Sequence, residues 1–189
     1  QQHIIEDKKI VLKEIDIIPA LLNIFNEVLV NARDQIVRLN QLYDNDKTIR
    51  RVTTIRINYN PDNRNLTIYN DGTGISVEKH SKEKIYIPQM IFGELLTSSN
   101  YKKDEKKIVG GKNGYGAKLV NIFSKTFTIT TVDHIKQKKY SQTWNDNMTK
   151  CNEPNIRVFK NQPYTEITWD LDFKRFDIEE YSEDLLNLL

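Results

Sequence analysis

Three oxygen-bearing side chains stand at a spacing that could do chemistry. Glu27, Asn31 and Asp34 lie at i, i+4 and i+7. If the stretch is helical, about 100° per residue places them within about 60° of one another. Two readings are open. The three residues form the wet side of an amphipathic helix, with Asn23, Arg38 and Gln41 close to the same stripe. Alternatively, Ile24 and Val30 leave the helix apolar round most of its circumference, and the acids and amide look into a cleft. A hard cation would make sense of such a stripe. Mg²⁺ needs only one or two protein oxygens because phosphates and water fill the rest, and Asn31 offers a neutral carbonyl oxygen. Glu27, one turn earlier, could polarise a water attacking a terminal phosphate.

Two glycine-bearing segments could meet the same ligand. Asn70-Asp71-Gly72-Thr73-Gly74 follows a strand-like run, and two glycines one residue apart let backbone approach a ligand closely. An ordinary strand-exit turn would also use them. Gly110-Gly111-Lys112-Asn113-Gly114-Tyr115-Gly116-Ala117-Lys118 runs into an apolar helix, where free N–H groups and the helix dipole favour bound phosphate. It is not a Walker A loop, because Ala117-Lys118 stands where that motif needs Gly-Lys-Ser or Gly-Lys-Thr. Nor does it follow the Rossmann order of glycines or sit in a βαβ unit. A flexible surface loop is the alternative; the chain order of helix stripe, glycine turn and glycine lid argues against it.

The elements that must position these groups are legible in outline. Pro19 to about Tyr43 reads as one helix, with Leu21, Phe25, Val28, Ala32, Ile36 and Leu39 at steps of three and four. Strands are expected at Val52–Tyr59 and Asn65–Tyr69, joined as a hairpin by the Asn60–Arg64 turn. A helix over Pro88–Leu96 precedes a long polar segment ending at Gly116, a length that suits a lid. Then come a helix over Ala117–Phe123, strands at Thr126–Val132, Tyr140–Trp144, Ile156–Phe159 and Thr165–Trp169, and a terminal helix from about Ile178 to Leu189. Short turns between strands imply an α+β class with largely antiparallel pairing and helices on one face.

Composition narrows the function classes. The 189 residues suffice for one sizeable core, and a net charge of +2 leaves attraction to nucleic acid to local patches. The runs Lys102-Lys103, Lys106-Lys107 and Lys136 to Lys139 read as solvated loop faces. Cys151 is the single cysteine, which excludes an internal disulfide, and His3, His80 and His134 give no zinc-ligand spacing. No apolar run approaches the roughly 18 to 20 residues of a membrane span, and no signal-peptide pattern opens the chain, so a soluble intracellular location is expected. The helical pattern running into Leu189 without a stop signal points to a piece of a longer protein.

The three segments resemble the nucleotide-binding boxes of the GHKL superfamily, shared by gyrase, the heat-shock chaperone with an N-terminal ATPase, MutL-type repair proteins and histidine kinases. Within it, Asn26 to Ala32, Ile91 to Tyr101 and Gly110 to Leu119 are similar to eukaryotic-type DNA topoisomerase II over nearly the whole chain. The resemblance implies a Bergerat-type sandwich in which a mixed, largely antiparallel sheet is covered on one face by helices. It makes residues 1–189 the ATP-binding subdomain, with the transducer subdomain and DNA-cleavage core elsewhere in the parent. Glu27 would be the general base and Asn31 the Mg²⁺ ligand, with Asp34 in support and Asn70 on adenine. Ser98, Ser99 and Asn100 would meet ribose and phosphates. Gly111, Lys112, Asn113, Gly114, Tyr115, Gly116, Ala117 and Lys118 would wrap the triphosphate of ATP. Backbone amides and a cation suit such a polyanion.

Arg33, Gln35 and Lys112 depart from the usual small residue, Asn and Arg. Gln35 could still hydrogen-bond a phosphate, whereas Lys112 lacks Arg's bidentate fork. The resemblance further implies double-stranded DNA as the full-length enzyme's substrate, a homodimer on ATP binding, and a nuclear site, with a viral or organellar one as the alternative. A chaperone or MutL-type clamp, and a nucleotide-binding interaction module without turnover, are the competing readings.

Overall fold

In this computed structural model, residues 1–94 and 116–189 are described. Alternation along four strands aims their large apolar side chains at one side of a sheet. These are β4 (Asn65–Asp71), β5 (Ser124–Asp133), β6 (Lys138–Asn145) and β9 (Tyr164–Leu171). With β3 (Ile55–Asn60) and β7 (Lys150–Cys151), the order is β3-β4-β9-β5-β6-β7, and β8 (Asn155–Val158) also pairs with β6.

Register converts the alternation into rows that cross the strands. Leu66, Trp169, Phe127 and Trp144 form one row, Ile68, Ile167, Ile129 and Gln142 the next, and Asn70, Thr165, Thr131 and Tyr140 a third. The first row is dry and aromatic; the third is mostly polar. Every described pair in the sheet is antiparallel, so the expected mixed sheet carries no parallel element here. Hairpin turns account for this where the strands are consecutive.

Helices cover that face. Helix α1 (Pro19–Asn45) starts with proline at its first turn and buries Leu21, Ile24, Phe25, Val28, Ala32 and Leu39. Helix α2 (Ile87–Gly93) buries Pro88 and Phe92, and α3 (Gly116–Ile122) buries Ala117 and Val120. The three helices and the sheet share one apolar cluster. No helix among the described residues is long and apolar enough to cross a membrane.

Several boundaries differ from expectation for identifiable reasons. Strand β3 begins at Ile55, not Val52, because the Asp71 carboxylate captures the N–H groups of Thr53 and Thr54 at 2.7 and 2.9 Å, removing them from the ladder. The terminal helix begins at Glu183, not Ile178. A 3₁₀ turn over Phe173–Phe176 ends in left-handed Asp177, and Tyr181 docks edge-on against Phe173 at 4.9 Å and against Tyr59 at 5.6 Å. Ser182 then caps α4 (Glu183–Leu188) by accepting from Leu185 N. Helix α2 ends by Glu94; Leu95 and Leu96 lie outside the described residues. Sequence reading missed β7 and an N-terminal hairpin of β1 (Gln2–Glu6) and β2 (Lys9–Lys13), turned by left-handed Asp7 and Lys8.

On the open face of the sheet, Asp170 stands opposite Asn65 and Thr126, with its Oδ1 buried and unpartnered. Burial pushes its carboxyl above the usual value, while Lys125 and Arg64 oppose the shift. A raised folded-state value means that ionisation costs stability above it, and that the cost vanishes below the unfolded carboxyl's value. Asp170→Asn is therefore expected to raise the melting temperature at neutral pH. The gain should shrink as pH falls toward about 4 and be lost below it, which thermal melts across pH would check.

Candidate nucleotide site

Helix α1 packs against α3, and the tightest point of that contact is a carboxylate on a glycine. A Cβ built on Gly116 would lie 1.7 Å from Glu27 Oε2 and 2.5 Å from its Cδ. Gly116 thus leaves the volume in which the Glu27 carboxylate rests. Glu27, Asn31, Asp34 and Gln35 are all half-buried, as the cleft reading of the stripe requires. Val30 is 45% exposed, however, so the helix is not apolar round most of its circumference. What Glu27 rests against is Gly116 at the start of α3.

Arg38 was placed only on the wet edge of the stripe, yet it continues the same face one turn beyond Asp34 and is half-buried. Its Nε and Nη2 donate to Gln35 Oε1 at 3.1 and 2.8 Å. Gln35 therefore spends its carbonyl oxygen on Arg38, leaving only its NH₂ for a ligand. The i, i+3 spacing of the pair was the signal in the sequence.

About 18 Å further along the α1 axis, by 1.5 Å rise per residue, Leu39 meets the glycine turn. A Cβ on Gly72 would approach Leu39 Cδ1 at 3.1 Å and Val52 Cγ2 at 2.9 Å, and one on Gly74 would strike the Val132 carbonyl oxygen at 2.0 Å. Both have positive φ, +118° and +80°. Protein fills the space that a side chain at either glycine would need. Asn70, 7% exposed, donates one Nδ2 hydrogen to Asp71 O at 2.8 Å.

Asn70 also heads the polar row, and its neighbours there are functional candidates that sequence reading missed. Thr165 and Thr131 share a hydroxyl contact of 2.9 Å, and Thr131 Oγ1 accepts from Ile75 N at 2.9 Å. Only the strand register, invisible in a linear string, brings residues 70, 131 and 165 side by side.

Lys118 is 3% exposed and Ala117 6%, so Ala117 can offer a ligand only its backbone while its methyl fills the core. Burial holds the Lys118 ammonium below its ordinary value, and the Glu94 carboxylate partly offsets this. Asn121, fully buried, ties α3 to α2 by donating to Phe92 O at 3.0 Å. Ser98, Ser99, Asn100, Gly111, Lys112, Asn113, Gly114 and Tyr115 lie outside the described residues. Among the described residues, no cluster of three His, Cys, Asp or Glu could hold a metal by protein ligands alone. Oxygen donors at Glu27, Asn31 and Asp34 still fit a hard cation that takes most of its ligands from phosphate and water.

A layer of helices over an antiparallel sheet, with an acid and amide on the longest helix facing a glycine-led second helix, has the form of a known ATPase architecture. The chain belongs to the histidine kinase-, DNA gyrase B- and HSP90-like ATPase family, whose model matches residues 17–174. Within that family it is similar to DNA topoisomerase 2. With that of Candida glabrata it is 47% identical over 178 residues, covering 94% of this chain and 12% of the relative. The solved ATPase region of Saccharomyces cerevisiae topoisomerase II superposes with a TM-score of 0.80 at 42% identity, covering 98% of this chain and 47% of that one. The ATPase and transducer domains of DNA topoisomerase II from Balamuthia mandrillaris give 0.83 at 38%, covering 99% and 47%. The chain thus spans about an eighth of the curated relative's length and about half of each solved region.

The charge environment of Lys118 yields a direct test. Removing the carboxylate by Glu94→Gln should lower the Lys118 value further. A folded-state lysine value below the unfolded one makes this group's contribution to stability rise with pH between the two. NMR titration of the Lys118 side-chain nitrogen should show a downward shift in the variant; an upward shift would refute the assignment of Glu94 as its stabilising charge.

Proposed function

We propose that this chain is the ATP-binding subdomain of a type II DNA topoisomerase, holding ATP with Mg²⁺ between α1, α3 and the polar row of the sheet. The observation that carries this reading is the seating of the Glu27 carboxylate on Gly116, which joins the helix stripe to the end of the glycine segment. Asn70, with Thr165 opposite it in the sheet register, offers hydrogen-bonding groups suited to a heterocyclic base.

Mg²⁺, when bound, would neutralise phosphate charge and orient the terminal phosphate. Asn31 would hold it through its carboxamide oxygen, with Asp34 close on the same face. Glu27 would accept a proton from the attacking water, and Gly116 fixes where that carboxylate can sit. The Lys118 ammonium, already desolvated, would gain a phosphate partner, and backbone amides from Gly111 to Ala117 would cradle the anion.

The parent enzyme, in this reading, closes a dimeric gate on ATP binding while one DNA duplex passes through another, and acts in the nucleus. The transducer subdomain and the DNA-cleavage core belong to the rest of that parent. Turnover by this subdomain alone would be weak, because a lysine from the transducer completes the charge around the γ-phosphate. A chaperone or MutL-type clamp is disfavoured by the similarity to topoisomerase II across 94% of the chain.

Calorimetry with a non-hydrolysable ATP analogue and Mg²⁺ should show Asn31→Ala weakening binding at least about tenfold, roughly 1.4 kcal/mol. Unchanged affinity would sink the proposal. In the parent enzyme, Glu27→Gln should retain binding while ATP turnover falls by about 10² to 10⁴. Gly116→Ala separates positioning from folding. The atoms the new methyl would meet are the far end of the flexible Glu27 side chain, so the melting temperature should change little, while turnover drops as the methyl displaces the carboxylate.

A further inference from the structure

A second cleft, of about 180 Å³, opens beside the glycine turn and belongs to none of the machinery above. Its walls come from three chain segments: Arg50 after α1, His134 and Gln137 in the β5–β6 turn, and Phe159, Lys160 and Asn161 between β8 and β9.

Backbone bonds hold these segments in place. Phe159 N donates to Gln137 O at 2.8 Å and His134 N to Thr73 O at 2.9 Å. Arg50 N donates to Thr73 Oγ1 at 2.9 Å, and that hydroxyl donates back to Arg50 O at 3.1 Å.

The cleft is cationic, and its one acid is spent. Asp133, 4% exposed, accepts from Val77 N through Oδ2 and from Ile135 N and Lys136 N through Oδ1. The nearby Glu78 is paired with Lys136. Among the described residues, Arg50 and Lys160 have no ion-pair partner, and Lys139 adds a third positive charge over the Phe159 ring at 5.6 Å. Gln137 and Asn161 place amide donors beside these charges. Two free cations with neutral donors in a small preformed cleft match a phosphate group.

We propose that this cleft is a phosphate-binding site, separate from the nucleotide site, which takes either a free phosphate or one phosphate of a nucleic-acid backbone. It does not depend on the topoisomerase reading, and its failure would leave that reading intact, because none of its lining residues is assigned to the nucleotide.

The test is a ¹H–¹⁵N titration of the 189-residue chain, in separate arms with inorganic phosphate and with a short DNA duplex. Shifts at His134, Gln137, Lys160 and Asn161 are expected in at least one arm, and loss of those shifts in Arg50→Gln/Lys160→Gln. Response to both arms assigns the site to phosphate as such; response to duplex alone assigns it to the backbone phosphodiester. In the duplex arm the double variant should reduce the slope of log K against log salt by about 1, the contribution of one phosphate contact. Arg50→Lys/Lys160→Arg, which keeps both charges, should retain binding. Absence of shifts at these amides in both arms, or binding that survives the double Gln variant, overturns the proposal.

Discussion

Everything at the candidate site depends on one steric fact: a carboxylate occupies the space that a side chain at position 116 would need. That contact lets two helices from distant parts of the sequence approach closely. A carboxylate on a long helix is otherwise free to choose among several rotamers. Here its oxygen rests in the volume that a side chain at position 116 would need.

Electrostatics follow from the same closeness. The helix layer buries Lys118 and half-buries Arg38, two cations that must lose water to be there. Burial lowers the values of both, and Glu94 partly offsets the cost for Lys118. A desolvated cation interacts more strongly with a nearby negative charge than it would at an open surface. Asn121 supports this by bonding α3 to the last turn of α2, so the cation-bearing helix is braced from the side away from α1.

Much of this could be read from residue order, and the failures are instructive. The long helix was legible because its apolar residues, Leu21 to Leu39, keep a 3.6-residue period over about five turns, and the hairpin after it because Asn60 to Arg64 favour a tight reversal. The stripe of Glu27, Asn31 and Asp34 was legible for the same reason. Three things were not. The packing of Leu39, Val52 and Val132 into the space that side chains at 72 and 74 would need had no signal in residue order. Thr131 and Thr165 carried no local signal, since their pairing with Asn70 exists only across strands. The final helix started late because aromatic docking of Tyr181 outweighed a helical pattern that began at Ile178.

The graded rows of the sheet have a consequence for how such a site can change. Adjacent rows on one face are two residues apart along each strand, about 7 Å. The aromatic row that anchors the helices is thus a full row removed from the hydroxyl and amide row, with an aliphatic row between them. Substitutions in the polar row would therefore leave Trp144, Trp169 and Phe127 in place, so one tier of these strands can drift without eroding the other.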